Sequence, residues 1–291
     1  MKRISAKDKL LKYLFYTIII LAVFVTILPI LNVVALSLSS SEATMMGKVL
    51  IFPVGFNLEA YKAVFQNGSM IYSLGFTIVL TVVYTVLALF FTLCTAYPLT
   101  KERLAGRKFF TTLIIVTMYF SGGVIPEYLL FKELHISNTM WVLVLPGLIS
   151  AYNMIILKSF IANIPDSIEE AALIDGASDF TILFKIVLPL SKAVMATLSL
   201  FYAVSRWNTF QDALYFIQDS KLFPLQYKLQ MMLNAVQTSE MTQFEGANTN
   251  KLTPENLKSA SIVFASVPII LVYPWLQKYF VKGVTLGAVK G

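Results

Sequence analysis

The amino-acid sequence predicts an all-α, polytopic membrane protein with six transmembrane helices, on three observations. Hydrophobic residues fill 57% of the 291 positions and charged residues 13%, with mean hydropathy +0.73, where a soluble domain carries about 25% charged residues. Six runs reach or approach the length of about 20 apolar residues that a spanning helix needs. Basic residues concentrate on alternate connections between those runs. So apolar a chain cannot hide its surface in one core, and the bilayer becomes its main solvent. One membrane-embedded domain, 1–291, is enough for the whole length.

The first span is 14–36, free of charge. Lys2, Arg3, Lys7, Lys9 and Lys12 precede it as they would precede a secretory signal. The apolar run 13–38 is too long for a signal core and lacks a small-x-small cleavage site, so it reads as a retained span. The second span lies within the uncharged run 70–97. The third, 109–131, holds Ser121-Gly122-Gly123 and Pro126, which predict a break near one end. The fourth is 136–157. The fifth, 190–211, is interrupted by Arg206. The sixth is 259–277, and Pro29, Pro268 and Pro274 predict kinks or ends of helix turns. Lipid leaves no backbone group unpaired, and these runs are too long for barrel strands, so they are helices. A short amphipathic helix is expected around 58–65 in the first long connection, 37–69. The second long connection, 213–258, has no room for a cleft-forming soluble domain.

With the N-terminus inside, six spans return the C-terminus inside. The inner segments then hold 15 of the 23 basic residues and only 7 of the 16 acidic ones. The positive-inside rule supports this orientation over its inverse and predicts a multi-pass cell-membrane protein with both termini cytoplasmic. The net charge of +7 therefore reflects membrane sidedness and does not imply nucleic acid.

Several chemistries are excluded. Cys94 is the only cysteine, so no intramolecular disulfide forms, and it reads as a small packing residue. His135 is the only histidine and falls in a short outer loop. One histidine and one cysteine rule out most His/Cys metal sites and any credible Ser/His/Asp set. No G-x-x-x-x-G-K-[ST] occurs, so this chain does not cradle a nucleotide. No internal repeat or set of central carboxylates supports a secondary transporter.

The most informative segment is the connection 158–189, KSFIANIPDSIEEAALIDGASDFTILFKIVLPL. Pro165, Asp166 and Ser167 start a helix; Asp166 and Ser167 each have a glutamate three residues on, Glu169 and Glu170, as in a capping box. Gly176 suits a left-handed helix end. Ser178 or Asp179 caps a second short helix, in which Phe180, Leu183, Phe184 and Val187 form one apolar stripe at i, i+3, i+4, i+7. Pro189 ends it and starts the fifth span. Two readings follow: a pair of short helices that docks into a groove on another protein and tilts the fifth span, or an interfacial loop that covers lipid headgroups.

Glu170-Ala171-Ala172, three residues, Gly176, nine residues and Ile186-x-Leu188-Pro189 resemble, at every position, the EAA signature of ABC importer permeases; Asp175 and Ala177 extend it as DGA. The resemblance implies the type I permease fold and makes 158–189 a coupling loop seated in a cytoplasmic ATPase. It implies Glu170, Ala171, Ala172, Asp175, Gly176, Ile186, Leu188 and Pro189 as the coupling residues. It further implies a second permease subunit, an ATPase dimer that binds ATP and Mg, and an extracytoplasmic solute-binding protein. No cofactor is implied in this chain, which is a transport subunit and not an enzyme. FSGGVIPEYLL (120–130), YAVSRWN (202–208) and the tail QKYFVKGVTLGAVKG (277–291) are similar to the oligosaccharide branch of carbohydrate importers. That branch includes the maltose-type second permease and LplC/YtcP-like permeases for complex or acidic sugars. The tail reads either as a frayed terminus or as an arm toward the ATPase dimer; its Gly283-x-x-x-Gly287 is too weak a pattern to mark a dimer.

Arg206 is the one strongly charged residue placed within a span, and burial there costs at least about 2.5 kcal/mol on insertion scales. With Trp207 and Asn208 it is a candidate for the substrate path: indole stacks on a sugar ring, amide pairs with hydroxyls, and guanidinium attracts a carboxylated sugar. The alternatives are that Arg206 snorkels to the interface or pairs with Asp212 in a structural role. A non-sugar solute remains the alternative substrate class.

Overall fold

In the computed structural model, which describes residues 6–66, 68–243 and 253–288, every regular element is helical. In chain order these are α1 (Ala6–Ser37), α2 (Ser41–Met45), α3 (Glu59–Gln66), α4 (Gly68–Ala96), α5 (Arg107–Val116), α6 (Val124–Glu133) and α7 (Ala151–Ile161). Then follow α8 (Asp166–Ile174), α9 (Asp179–Ile182), α10 (Leu188–Leu190), α11 (Lys192–Asn208), α12 (Gln211–Phe216), α13 (Leu225–Gln243) and α14 (Pro254–Ala288). The chain divides by contacts into two compact units, Met1–Ile71 with Leu229–Val267, and Tyr72–Lys228 with Pro268–Gly291. Lys2, Arg3 and Lys290, which enter the charge count, and the tail's last three residues lie outside the described residues.

In the first unit α1 presents apolar side chains on all sides, with Ile20 67% exposed. Such a helix is stable only where lipid or protein covers it. Its threonines turn inward on the backbone: Thr17 and Thr26 donate to the carbonyls of Tyr13 and Ala22, each at 3.0 Å. The C-terminal end is buried and polar. Asn256 Nδ2 donates to the carbonyls of Leu36 (2.7 Å) and Ser39 (2.9 Å), and Asn32 Nδ2 donates to Leu50 O at 2.7 Å. The expected amphipathic helix is α3, burying Ala60 and Val64, with Phe65 edge-on to Phe264.

In the second unit two cores follow one another along α4. Leu80, Tyr84 and Ala88 pack with Val142–Val144, Tyr202 and Phe216. Leu93, Ala96, Tyr97 and Leu99 pack with Met154, Leu157, Ile182, Leu183, Val187 and Leu198.

Three helical stretches are long and apolar enough to cross a bilayer: Leu11–Ser37, Gly68–Thr100 and Pro254–Val272. Two bent pairs bring the count to five if each is one span: Met140–Gly147 with Ala151–Ile161, bent by 47°, and Asp179–Leu190 with Lys192–Asn208, bent by 83°. The third predicted span, 109–131, is not one helix. It is α5 and α6, ten residues each, separated at 117–123 where Gly123 takes φ 85°. Each half is about 15 Å long, half of a hydrocarbon core of about 30 Å. The break expected near one end of that run lies close to its middle. α14 continues past the predicted limit of 277 to Ala288, with Pro268 and Pro274 inside it, so the described part of the tail is helical.

Thr92 Oγ1 and Tyr202 Oη, 2.6 Å apart, join α4 to α11 between the two cores. Tyr202→Phe is expected to lower stability by about 0.6–2 kcal/mol, the range for hydrogen bonds between membrane helices. Thr92→Val should cost less, because the Tyr202 hydroxyl still accepts from Ser150 N, and the double variant should cost about as much as Tyr202→Phe alone. Unfolding of the purified protein in mixed micelles checks the cycle.

Candidate functional site

The 158–189 segment folds as two short helices about a glycine turn. α8 ends in a paired motif: Ala177 N donates to Ala172 O (2.9 Å) and Gly176 N to Leu173 O (3.0 Å), with Gly176 at φ 78°. That geometry needs a residue with no Cβ penalty at positive φ. Ser178 caps α9, its Oγ accepting from Thr181 N at 3.3 Å.

Two local expectations are corrected. No capping box forms: Pro165 is the N-cap and makes no side-chain cap bond. The Glu169 carboxylate is engaged elsewhere, by Lys101 Nζ and, at 3.3 Å, by Tyr97 Oη. Nor do Phe180, Leu183, Phe184 and Val187 form one stripe. Leu183–Val187 is a π-helical turn, which resets the period behind the i+3/i+4 expectation. Ile182, Leu183 and Val187 are buried, while Phe180 is exposed and Phe184 stacks on Phe90 at 6.3 Å. Pro189 lies inside α10, one residue before it ends; the corner comes at Ser191.

α8 buries one side and offers the other. Ala172 is buried in the second of the two cores along α4, the one with Leu93 and Ala96. Glu170, Ala171, Asp175 and Gly176 are exposed, and so are Leu173 (45%) and Ile174 (86%). Of the remaining motif positions, Ile186 and Leu188 are half-buried against the same core and Pro189 is exposed. This makes a small apolar surface with a carboxylate at its edge, standing on a fixed base.

Arg206 is elsewhere in the second unit and is 6% exposed. Its guanidinium forms a fork on Asp212, with Nη2–Oδ1 at 3.0 Å, and donates to the carbonyls of Leu143 (2.8 Å) and Thr209 (3.3 Å). Its Cζ lies 5.8 Å from the Tyr84 ring centroid. The charge that the sequence offered to a carboxylated sugar is thus answered inside the protein, in the structural pairing with Asp212. The neighbouring side chains work alike: Tyr84 Oη donates to Gly147 O (2.8 Å), and Tyr202 Oη accepts from Ser150 N (3.3 Å). These three side chains serve the 143–150 backbone, which is short 3-10 turns and loop and not α-helix, a role the pattern around Arg206 did not signal. Trp207 is buried and lines a cavity of about 400 Å³ with Ile78, Thr81, Val82 and Pro268. The lining is almost wholly apolar, a poor match for the hydroxyls of a sugar. Asn208 is exposed and donates to Val204 O at 2.9 Å. The three consecutive residues therefore do not converge on one site. Among the described residues no group of three or more His, Cys, Asp or Glu could hold a metal.

Residues 105–286 match the family described as "Binding-protein-dependent transport system inner membrane component". The chain belongs to that family, so it is a permease subunit and not an enzyme. It is 39% identical over 285 residues to the polygalacturonan/rhamnogalacturonan transport system permease protein YtcP of Bacillus subtilis, covering 98% of this chain and 100% of that one. Protein LplC of the same organism is 44% identical, over 92% of this chain and 90% of its own. A solved bacterial ABC transporter involved in the import of the acidic polysaccharide alginate has a chain 30% identical, with TM-score 0.87, covering 96% of this chain and 100% of that one.

Asp212→Ala would leave Arg206 buried without its counter-ion. A loss of about 3–5 kcal/mol is expected, as for other broken buried pairs, and Arg206→Met combined with Asp212→Leu should lose less than Asp212→Ala alone. Thermal unfolding in detergent, followed by retention of monodisperse protein, measures both.

Proposed function

We propose that this chain is one permease subunit of an ATP-driven importer for acidic oligosaccharides, and that 158–189 is its coupling loop. The observation that carries the coupling reading is the exposed face of α8, with Glu170, Ala171, Leu173 and Ile174 held outward while Ala172 is locked into the core beneath. An apolar, small-residue helix face on a rigid base suits a groove in a second protein. A loop that only covered headgroups would gain nothing from such a base. The matching EAA pattern supports Glu170, Ala171, Ala172, Asp175, Gly176, Ile186, Leu188 and Pro189 as the residues that define this element.

In this reading the chain acts as one permease domain, 1–291, with six spans. The two half-length helices α5 and α6 together serve as the third, and the bent pairs as the fourth and fifth. The charge distribution supports cytoplasmic termini and a cytoplasmic coupling loop. A second permease of the family pairs with this one; an ATPase dimer, holding ATP and Mg, docks on the coupling loops; an extracytoplasmic binding protein delivers the sugar. ATP binding draws the two coupling loops together, and loaded binding protein favours the same outward-facing state, so both bias one two-state element. Of the trio proposed for the substrate path, Asn208 contributes through its exposed amide, Arg206 through the backbone it holds in place and Trp207 through the apolar cavity it lines.

The substrate class rests on relatives whose names concern polygalacturonan/rhamnogalacturonan and alginate, both acidic polysaccharides. An oligosaccharide of uronates is therefore expected to inhibit uptake in competition more strongly than a neutral one of equal length. Equal inhibition by the two in reconstituted transporter removes the acidic class. For coupling, Gly176→Pro with Glu170→Ala is expected to abolish co-purification of the ATPase subunit, or substrate-stimulated hydrolysis, while the permease still inserts. Unchanged behaviour in both assays would leave the loop as interfacial cover.

A further inference from the structure

The coupling loop has a covalent connection to α11, and that connection turns a corner. The segment Asp179–Leu190 meets α11 at 83°, after a π-helical turn and a break at Ser191. A push on the loop does not run along the α11 axis. The loop's non-covalent base is one core: Ala172, Ile182, Leu183 and Val187 pack in it with Leu93 and Ala96 of α4, Tyr97 and Leu99 just past the end of α4, Met154 and Leu157 of α7, and Val194 and Leu198 of α11.

Polar contacts lie on the same junction. Glu169 carboxylate accepts from Lys101 Nζ and from Tyr97 Oη (3.3 Å), and Lys101 Nζ lies 4.4 Å from the Tyr97 ring centroid. The two charged side chains are mostly buried, 18% and 13% exposed. A second ion pair, Arg103 with Asp179, joins the same two segments but is 59% and 56% exposed. Exposed pairs contribute about 0–1 kcal/mol, whereas removing one partner of a buried pair leaves a desolvated charge. Glu169 and Glu170 are successive residues, about 100° apart around the helix. One faces α4 and the other faces out.

We propose that Glu169, Lys101 and Tyr97 form a positioning lock that hands movement of the coupling loop to α4. Glu169 lies outside the E-A-A positions of the signature, and Lys101 and Tyr97 lie about 70 residues before it in the chain. The proposal rests on the docking reading of 158–189. In it, α8 carries the ATPase contact on one side and the α4 contact on the other. The buried apolar base sets where the loop sits; the ion pair and the tyrosine hydroxyl fix its rotation on that base.

The test uses the complete transporter with its ATPase and binding protein in proteoliposomes, and reads sugar taken up per ATP hydrolysed. Lys101→Glu and Glu169→Lys are each expected to lower that ratio by about fivefold or more, the lower bound of a typical coupling effect, while the ATPase subunit still co-purifies. The double swap, Lys101→Glu with Glu169→Lys, should restore at least half of the wild-type ratio. Lys101→Arg should retain it, and the exchange of Arg103 with Asp179 should change it little. A wild-type ratio in Lys101→Glu, Lys101→Gln and Glu169→Gln, or a double swap no better than the single variants, overturns the lock. Loss of ATPase co-purification in the single variants also overturns it, because these side chains would then serve docking. Failure of the docking reading itself shows separately, as ATPase that still binds after Gly176→Pro with Glu170→Ala.

Discussion

Inside a bilayer no water is available to a backbone carbonyl or amide, so each must find a protein partner. A continuous helix meets that demand by itself. This protein breaks its helices and must meet it by other means. The 143–150 stretch leaves helical geometry between its two 3-10 turns and α7. Its orphan groups are served by three side chains from α4 and α11: Arg206 on Leu143 O, Tyr84 on Gly147 O and Tyr202 on Ser150 N. The irregular segment is therefore anchored to two helices, and the cores above and below it keep their register. Arg206 with Asp212 belongs to this scheme. A guanidinium offers several donors in one plane, enough to bind a carboxylate and two carbonyls at once.

The 158–189 segment follows a related logic. Its two turns are closed by backbone and side-chain caps at Gly176 and Ser178. The π-helical turn Leu183–Val187 then rotates the chain so that Leu183 and Val187 enter the core while Phe180 stays outside. π-turns cost hydrogen-bond geometry and recur at functional positions. Here the turn lets one segment present an outward face on α8 and an inward face on the α4 base.

Breaks at 117–123, 147–151 and 191 fall in different predicted spans. Short rigid pieces joined at such points allow one part of a bundle to tilt without bending a whole helix, which alternating access requires. The long, unbroken α4 contributes residues to both cores, as does α11 with Val194 and Leu198 in one and Tyr202 in the other.

What the sequence determined by itself was the solvent, the helical class, the approximate location of the apolar runs and the two-helix form of 158–189 about its glycine. Each of these depends on local composition or fixed spacing: apolar runs of set length, glycine at Gly176, and a motif whose residues lie within 20 positions of one another. Even the break at Ser121-Gly122-Gly123 was legible, though not how close to the middle of its run it falls. The tertiary structure alone decided the rest. It chose the Asp212 pairing for Arg206 and added Leu143 O, divided the Phe180–Val187 stripe with a π-helical turn, and turned Glu169 from a cap to Lys101 and Tyr97. For Leu143 O, Lys101 and Tyr97 the physical reason is shared. A charge or polar group in a dry interior goes to whichever partner the packing brings within about 3 Å, and partners some 60 to 70 residues away along the chain leave no mark on local sequence pattern.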